Sequence, residues 1–268
     1  MWTRSFLLHF TAPLLHFRFC GNPDFIGFPA FSSVVGYNST TPKNSYGYSF
    51  VTPTFVDLGA NTATYNIQNL KLLGEYVGDG LSDYIEVWDD SGSMTDTAYY
   101  YVTEAMGYDK DGWVTEMGGD TYVEDVELPL GSGFYLVINS GDDVQVQSAG
   151  QVYAGTLTTA PLVMGYNTCG NSLPAQLNIQ QIKLFGEYVG DGLSDYIEVW
   201  DDSGSMTDVS YYYVTEAMGY DKDGWVTEMG GDTYATGVVY EPGEGFFLVV
   251  NSGDDVQMQL PAVLSLED

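Results

Sequence analysis

Residues 74–122 recur as residues 186–234, an offset of 186 minus 74, or 112, and only two positions differ: Thr97 stands against Val209 and Ala98 against Ser210. The match runs back through YNIQNLKLL (65–73) against LNIQQIKLF (177–185). It runs forward through FYLVINSGDDVQVQ (134–147) against FFLVVNSGDDVQMQ (246–259). Whatever fold one copy takes, the other must also take. The chain therefore holds two homologous units of about 110 residues, the usual size of a domain. We assign residues 34–157 to unit one and 158–268 to unit two.

Within each unit the runs YIEVWD, YYYVTEAM, WVTEM and FYLVIN are short, aromatic and β-branched. They are bounded by turn-forming GDG, DDSGS, DKDG, GGD, GSG and NSGDD. No segment keeps a helical apolar period long enough to make a helix. Turns spaced about 8 to 12 residues apart predict an all-β chain of two tandem antiparallel units, each a β-sandwich or a small barrel.

The units open alike, with VVGYNSTTP at Val34 and VMGYNTCGN at Val163, but at an offset of 165 minus 36, or 129. Unit one then carries 129 minus 112, or 17, extra residues, within YSFVTPTFVDLGANTATY (48–65). Its apolar, Thr-rich start reads as a strand, which unit two is expected to lack. A missing strand leaves unpaired N–H and C=O groups, an acceptor for a strand from elsewhere. Residues 1–33, or unit one of a neighbouring molecule, are the candidate donors.

Residues 1–33 differ from the rest. They hold both histidines, both arginines, Cys20 and a single acid, Asp24. Arg4 before an apolar stretch, with small residues at Ala30, Ser32 and Ser33, reads as an export signal. His9, Pro13, His16 and Arg18 interrupt the run, and an apolar arm retained for assembly is the competing reading. The span is too broken for a transmembrane helix, so no membrane insertion of the remaining chain is expected.

Seven basic against 37 acidic residues give a net charge of -30. Such a chain repels a phosphate backbone and has no Lys/Arg cluster to release counterions, so nucleic acid is excluded as a partner. Phosphoryl transfer goes with it, because nothing basic can clamp the phosphates. Hydrophobic content of 44% and 22 tyrosines supply the apolar surface that a disordered acidic tail lacks. The chain folds.

The GYN openings, the DGW of residues 111–113 and 223–225, the PLGSGF of 129–134, the PGEGF of 242–246 and the AGQV of 149–152 resemble repeats in uncharacterised secreted proteins of verrucomicrobial bacteria. The resemblance spans both units and omits residues 1–33. It implies export and a β-rich extracellular or cell-surface role, and carries no activity.

YDKDGW occurs at Tyr108 and at Tyr220. Asp109 with Asp111, and Asp221 with Asp223, place carboxylates two residues apart before a glycine, an arrangement that can wrap calcium. The EF-hand spacing is absent, and an Asp-Gly hairpin turn explains the same letters. Acidic turns at Asp79 and Asp83, Asp89 and Asp90, Asp142 and Asp143, and their counterparts Asp191, Asp195, Asp201, Asp202, Asp254 and Asp255, add to the calcium reading.

In the YYY runs at Tyr99 and Tyr211 the middle rings, Tyr100 and Tyr212, must point away from their neighbours. With Trp88, Trp113, Trp200 and Trp225 they suit either a sugar-stacking platform or a contact between copies of the chain, and tyrosine enrichment favours the latter. Outside residues 1–33 there is no histidine or arginine and one cysteine, Cys169. No Ser-His, Cys-His or histidine metal site can be built, and an enzyme is not expected. Glu75, Glu86 and Glu104 keep a glycosidase carboxylate pair formally open, but nearby acids are expected by chance in so acidic a chain.

The leading expectation is a noncatalytic, secreted structural protein that self-assembles into an extracellular filament, tube or surface layer through β-strand addition and Tyr-rich contacts, its partner being itself. The alternative is a calcium-dependent glycan-binding or adhesin module, its partner a polysaccharide.

Overall fold

The computed structural model describes residues 35–40, 47–55, 63–77, 83–88, 94–141, 144–153, 155–190, 194–200, 206–253 and 255–262. Residues 1–33, with their export-signal and assembly-arm readings, lie outside them.

Unit one contributes β1 (Val35–Thr40), β2 (Gly47–Val51), β3 (Thr64–Asn66), β4 (Lys71–Leu73), β5 (Tyr84–Trp88), β6 (Met94–Val102), β7 (Gly112–Val114), β8 (Glu127–Pro129), β9 (Phe134–Ile138) and β10 (Gln145–Gln151). Unit two contributes β11 (Leu157–Thr158), which begins one residue before the expected boundary, β12 (Gly165–Gly170), β13 (Leu177–Asn178), β14 (Lys183–Phe185), β15 (Tyr196–Trp200), β16 (Met206–Val214), β17 (Gly224–Val226), β18 (Val239–Tyr240), β19 (Gly245–Val250) and β20 (Gln257–Leu260). Among the described residues only short 3-10 turns interrupt them, such as Glu104–Met106 and Glu216–Met218.

Each unit folds one antiparallel five-stranded sheet, β2-β9-β5-β6-β7 or β12-β19-β15-β16-β17, and one three-stranded sheet, β1-β10-β4 or β11-β20-β14. The two-stranded pairs β3-β8 and β13-β18 complete them. None of the sheets closes on itself, so the sandwich holds and the small barrel does not.

Alternation assigns the faces. In β5, Ile85 points inward and is fully buried, whereas Tyr84 and Glu86 point to the other face. The core of unit one joins Ile85, Trp113, Leu136 and Ile138 of the larger sheet to Leu72 and Val146 of the smaller one. The core of unit two repeats this with Ile197, Trp225, Leu248, Leu184 and Met258, and also takes in Leu130 from unit one.

Strand pairing corrects the expected deficit of unit two. The Gly165 of β12 pairs with Val250 as the Gly47 of β2 pairs with Ile138, and 138 plus 112 is 250. Leu157 of β11 pairs with Leu260 as Ser39 of β1 pairs with Ser148. The two GYN motifs are therefore not equivalent: residues 36–38 lie in β1, whereas 165–167 lie in β12, the counterpart of β2. The leading offset is 165 minus 47, or 118, and unit one carries only 118 minus 112, or 6, extra residues. The strand thought missing from unit two is β12.

The units meet about a local pseudo-two-fold. Val51 bridges to Glu244, and Cys169 bridges to Ser132; 51 plus 118 is 169, and 132 plus 112 is 244. Thr52 donates its backbone N–H to the Gly243 carbonyl at 3.0 Å, and Gly170 donates to Gly131 at 3.0 Å, again the same contact with the units exchanged. The two backbones approach so closely that a Cβ on Gly133 of unit one would lie 2.8 Å from the Cys169 carbonyl oxygen of unit two, and one on Gly170 would lie 2.6 Å from Thr52 Cγ2. Only glycine fits at that crossing.

Candidate functional site

Trp113 and Trp225 are fully buried. Each indole N–H donates to a backbone carbonyl, Leu70 at 3.0 Å and Ile182 at 2.9 Å. Each ring packs edge-on against a buried tyrosine, Tyr101 or Tyr213, at 5.0 Å. These two tryptophans are core anchors, which corrects their assignment to an interface or a glycan platform. The side chain of Gln68 donates to the Trp113 carbonyl at 2.6 Å and accepts from its N–H at 3.2 Å, on the β7 edge where Val114 also bridges to Tyr122. Gln180 does the same for Trp225, at 2.7 and 3.2 Å. A Cβ on Gly112 would lie 2.6 Å from Gln68 Oε1, which explains the glycine of DGW.

The Asp-Gly pair does not form the tight turn expected of it. Residues 103–111 separate β6 from β7, and the left-handed position is Gly107, with φ of 92°. Asp111 Oδ1 accepts the Glu104 backbone N–H at 2.8 Å, and Asp223 Oδ1 accepts from Glu216 at 2.8 Å. Asp109 and Asp221 are exposed in the same loops. Among the described residues, no group of three or more His, Cys, Asp or Glu converges as a metal cage. Lys110 lies 4.6 Å over the Tyr122 ring, while the Tyr122 hydroxyl donates to the Lys110 carbonyl at 2.7 Å. Lys222 and Tyr234 repeat this at 4.7 and 2.8 Å.

Asp83 and Asp195, grouped by sequence with the calcium-type acidic turns, do something else. Both are buried. Asp83 Oδ1 accepts the N–H groups of Asn139 and Ser140 at 2.7 and 2.9 Å, and Oδ2 accepts the Ser140 hydroxyl at 2.7 Å. Asp195 holds Asn251 and Ser252 at 2.7, 2.9 and 2.8 Å. Three donors per carboxylate lock the NSG turn to the start of β5 or β15.

Tyr100 and Tyr212 lie on the outer faces of the five-stranded sheets, half-buried, opposite Tyr84 and Tyr196 at ring distances of 5.3 and 5.5 Å. On the same faces Glu86 and Glu198 stand cross-strand from Tyr135 and Phe247. One oxygen of each glutamate, Oε2, is buried without a hydrogen-bond partner, and burial pushes the Glu86 carboxyl up. Glu198 Oε1 accepts the Tyr166 hydroxyl at 3.3 Å. Burial, then the Glu198 charge, push the Tyr196 hydroxyl up to about 12. Glu75 and Glu104 are exposed.

A cleft of about 300 Å³ opens between the units beside Pro129, Leu162, Val163 and Tyr166. Two of its polar groups are spent internally: Asn167 Nδ2 donates to Val163 O at 2.8 Å, and Thr168 Oγ1 to Gly133 O at 2.9 Å.

Six of the ten exposed large apolar side chains among the described residues recur in register with the duplication: Leu73 with Phe185, Tyr76 with Tyr188, and Met117 with Met229; Met164, Tyr166, Val209 and Val239 do not. Sequence reasoning passed over all six, although the shared offset of 112 was the signal that would have paired them. Comparison of the chain with protein-family models, with curated proteins and with solved structures finds no match.

Proposed function

We propose that this chain is a noncatalytic, secreted structural protein that assembles with copies of itself, and that each molecule is a bivalent building block. The observation that carries this reading is the pseudo-two-fold pairing of two near-identical units, which presents every exposed feature of the shared body twice. If one such surface binds its own kind, a molecule with two of them links two neighbours, and the contact does not close. The product is an open chain, the element of a filament or layer.

The edges of the larger sheets favour side-chain contacts over strand addition as the link. The ends of β2 and β12 are engaged at the unit junction, and β7 and β17 are occupied by Gln68 and Gln180. The resemblance to exported repeat proteins points the same way on localisation.

Assembly of so acidic a chain must work against its own charge, which salt screens over about 8 Å at physiological ionic strength. Light scattering across concentration and salt tests the reading. The expected result is a mass that grows with both; a constant mass of 29.4 kDa under all conditions removes it.

A further inference from the structure

We propose that the outward face of each three-stranded sheet docks on the same face of a second copy of this chain. The proposal rests on the self-assembly reading above and names the surface that performs it.

The strands of these two sheets read VGYNST, KLL and QVQSAGQ in unit one, and LT, KLF and QMQL in unit two. None contains an acid, in a chain with 37 of them. In β4, Leu72 is buried while Lys71 and Leu73 face out, opposite Gln147 and Gln145 of β10. In β14, Leu184 is buried while Phe185 is exposed and Lys183 half-buried, its Nζ donating to the Asp223 carbonyl at 3.2 Å; they stand opposite Gln257 and Gln259 of β20. Leu73 is 39% exposed and Phe185 49%, and the next exposed apolar side chains along the chain are Tyr76 at 49% and Tyr188 at 51%. Apolar surface, amide side chains and one lysine therefore share each face.

Charge selects the occupant. Two molecules of net charge -30 repel wherever carboxylates meet, and like charges brought together at an interface oppose association. An acid-free face is where this penalty is least. Lys71 stands at one end of β4, and the exposed Glu75 follows its other end; Lys183 and Glu187 repeat the arrangement. An antiparallel approach of two copies of the face about Leu73 or Phe185 brings each lysine toward the glutamate of the other copy. The face is self-complementary, as an isologous contact requires.

The β4 and β14 edges favour docking by the face. The Leu72 and Leu184 backbone amides at the β4 and β14 edges hydrogen-bond to the Tyr101 and Tyr213 hydroxyls.

Sedimentation velocity on the full chain tests this with wild type, Leu73→Glu, Phe185→Glu and the double variant. Both side chains are exposed, so the variants should keep the wild-type melting curve. If either unfolds, Leu73→Ser with Phe185→Ser replaces the pair and should weaken assembly at least tenfold. The expected pattern is growth of the wild type with concentration, arrest of each single variant at the dimer, and a monomeric double variant. A double variant that assembles as the wild type does overturns the face and leaves the self-assembly reading intact. Single variants that are already monomeric overturn the same-face pairing. A wild type that stays monomeric at every concentration removes both.

Discussion

Tyr135 and Phe247 occupy the same position in the two units, 135 plus 112 being 247, and their rings meet edge-to-face with centroids 5.9 Å apart. The contact thus lies on the pseudo-two-fold, beside the backbone hydrogen bonds from Thr52 to Gly243 and from Gly170 to Gly131. Phe247 is buried there, although it projects from the face of its sheet opposite the core of its own unit. Phe247→Ala is expected to cost about 3 to 5 kcal/mol, the usual range for a buried phenylalanine. The half-buried Tyr135 should cost less, and a double-mutant cycle should return a coupling of about 0.5 to 1.5 kcal/mol. Chemical denaturation measures all three; additive losses would mean that the rings do not couple the units.

Asp83 and Asp195 should each be worth about 2 kcal/mol as turn locks, since each accepts three hydrogen bonds to a buried carboxylate. Asp195→Asn is expected to lower the urea midpoint, and Asp83→Asn to do the same independently in the other unit. Calcium should leave the wild-type midpoint unchanged. A wild-type midpoint that rises with calcium, and does so no longer in the Asn variants, would make these carboxylates ligands instead of locks.

Burial raises the hydroxyls of Tyr101, Tyr196 and Tyr213 from 10.0 to about 12, and pushes Tyr240 higher still. The unfolded chain ionises first, so the stability these groups contribute is present below pH 10 and is lost as pH rises from 10 through 12. Alkaline titration should show part of the tyrosinate absorbance appearing only with cooperative unfolding. A single smooth titration near pH 10 in a still-folded protein would contradict the burial of these rings.

Glu86 is raised above 4.5 by burial, so the folded state resists its ionisation. The stability it supports is complete below pH 4.5 and is lost as pH rises through the shifted value. Glu86→Gln should therefore raise the melting temperature at pH 7 and leave it unchanged well below pH 4.5. Thermal melts of the two proteins across that range check both the direction and the crossover.

The strands themselves were legible, because membership in β5, β6 or β9 is written in local alternation and in β-branched and aromatic residues. The partner of a strand is not local, and there the letters misled. GYN occurs in both β1 and β12, but the two strands pair with non-equivalent neighbours, so matching motifs suggested a missing strand that pairing does not support.

The same limit governs the site residues. Alternation placed Tyr100 and Tyr212 opposite Tyr101 and Tyr213, yet nothing local told that Trp113 would be roofed by Gln68, 45 positions away. An aspartate in an acidic turn looks like a cation ligand until the turn it closes is seen, as with Asp83 and Ser140. The acid-free faces could be recognised only once β4, β10 and β1 were known to lie side by side.

The central claim, that one chain offers two equivalent contact surfaces and so grows into an open assembly, is tested most directly by electron microscopy of the purified protein at physiological salt. The account predicts regular linear polymers or sheets whose repeat is a single chain with a visible near-two-fold. Discrete particles of one size, unchanged by concentration or added salt, would contradict it.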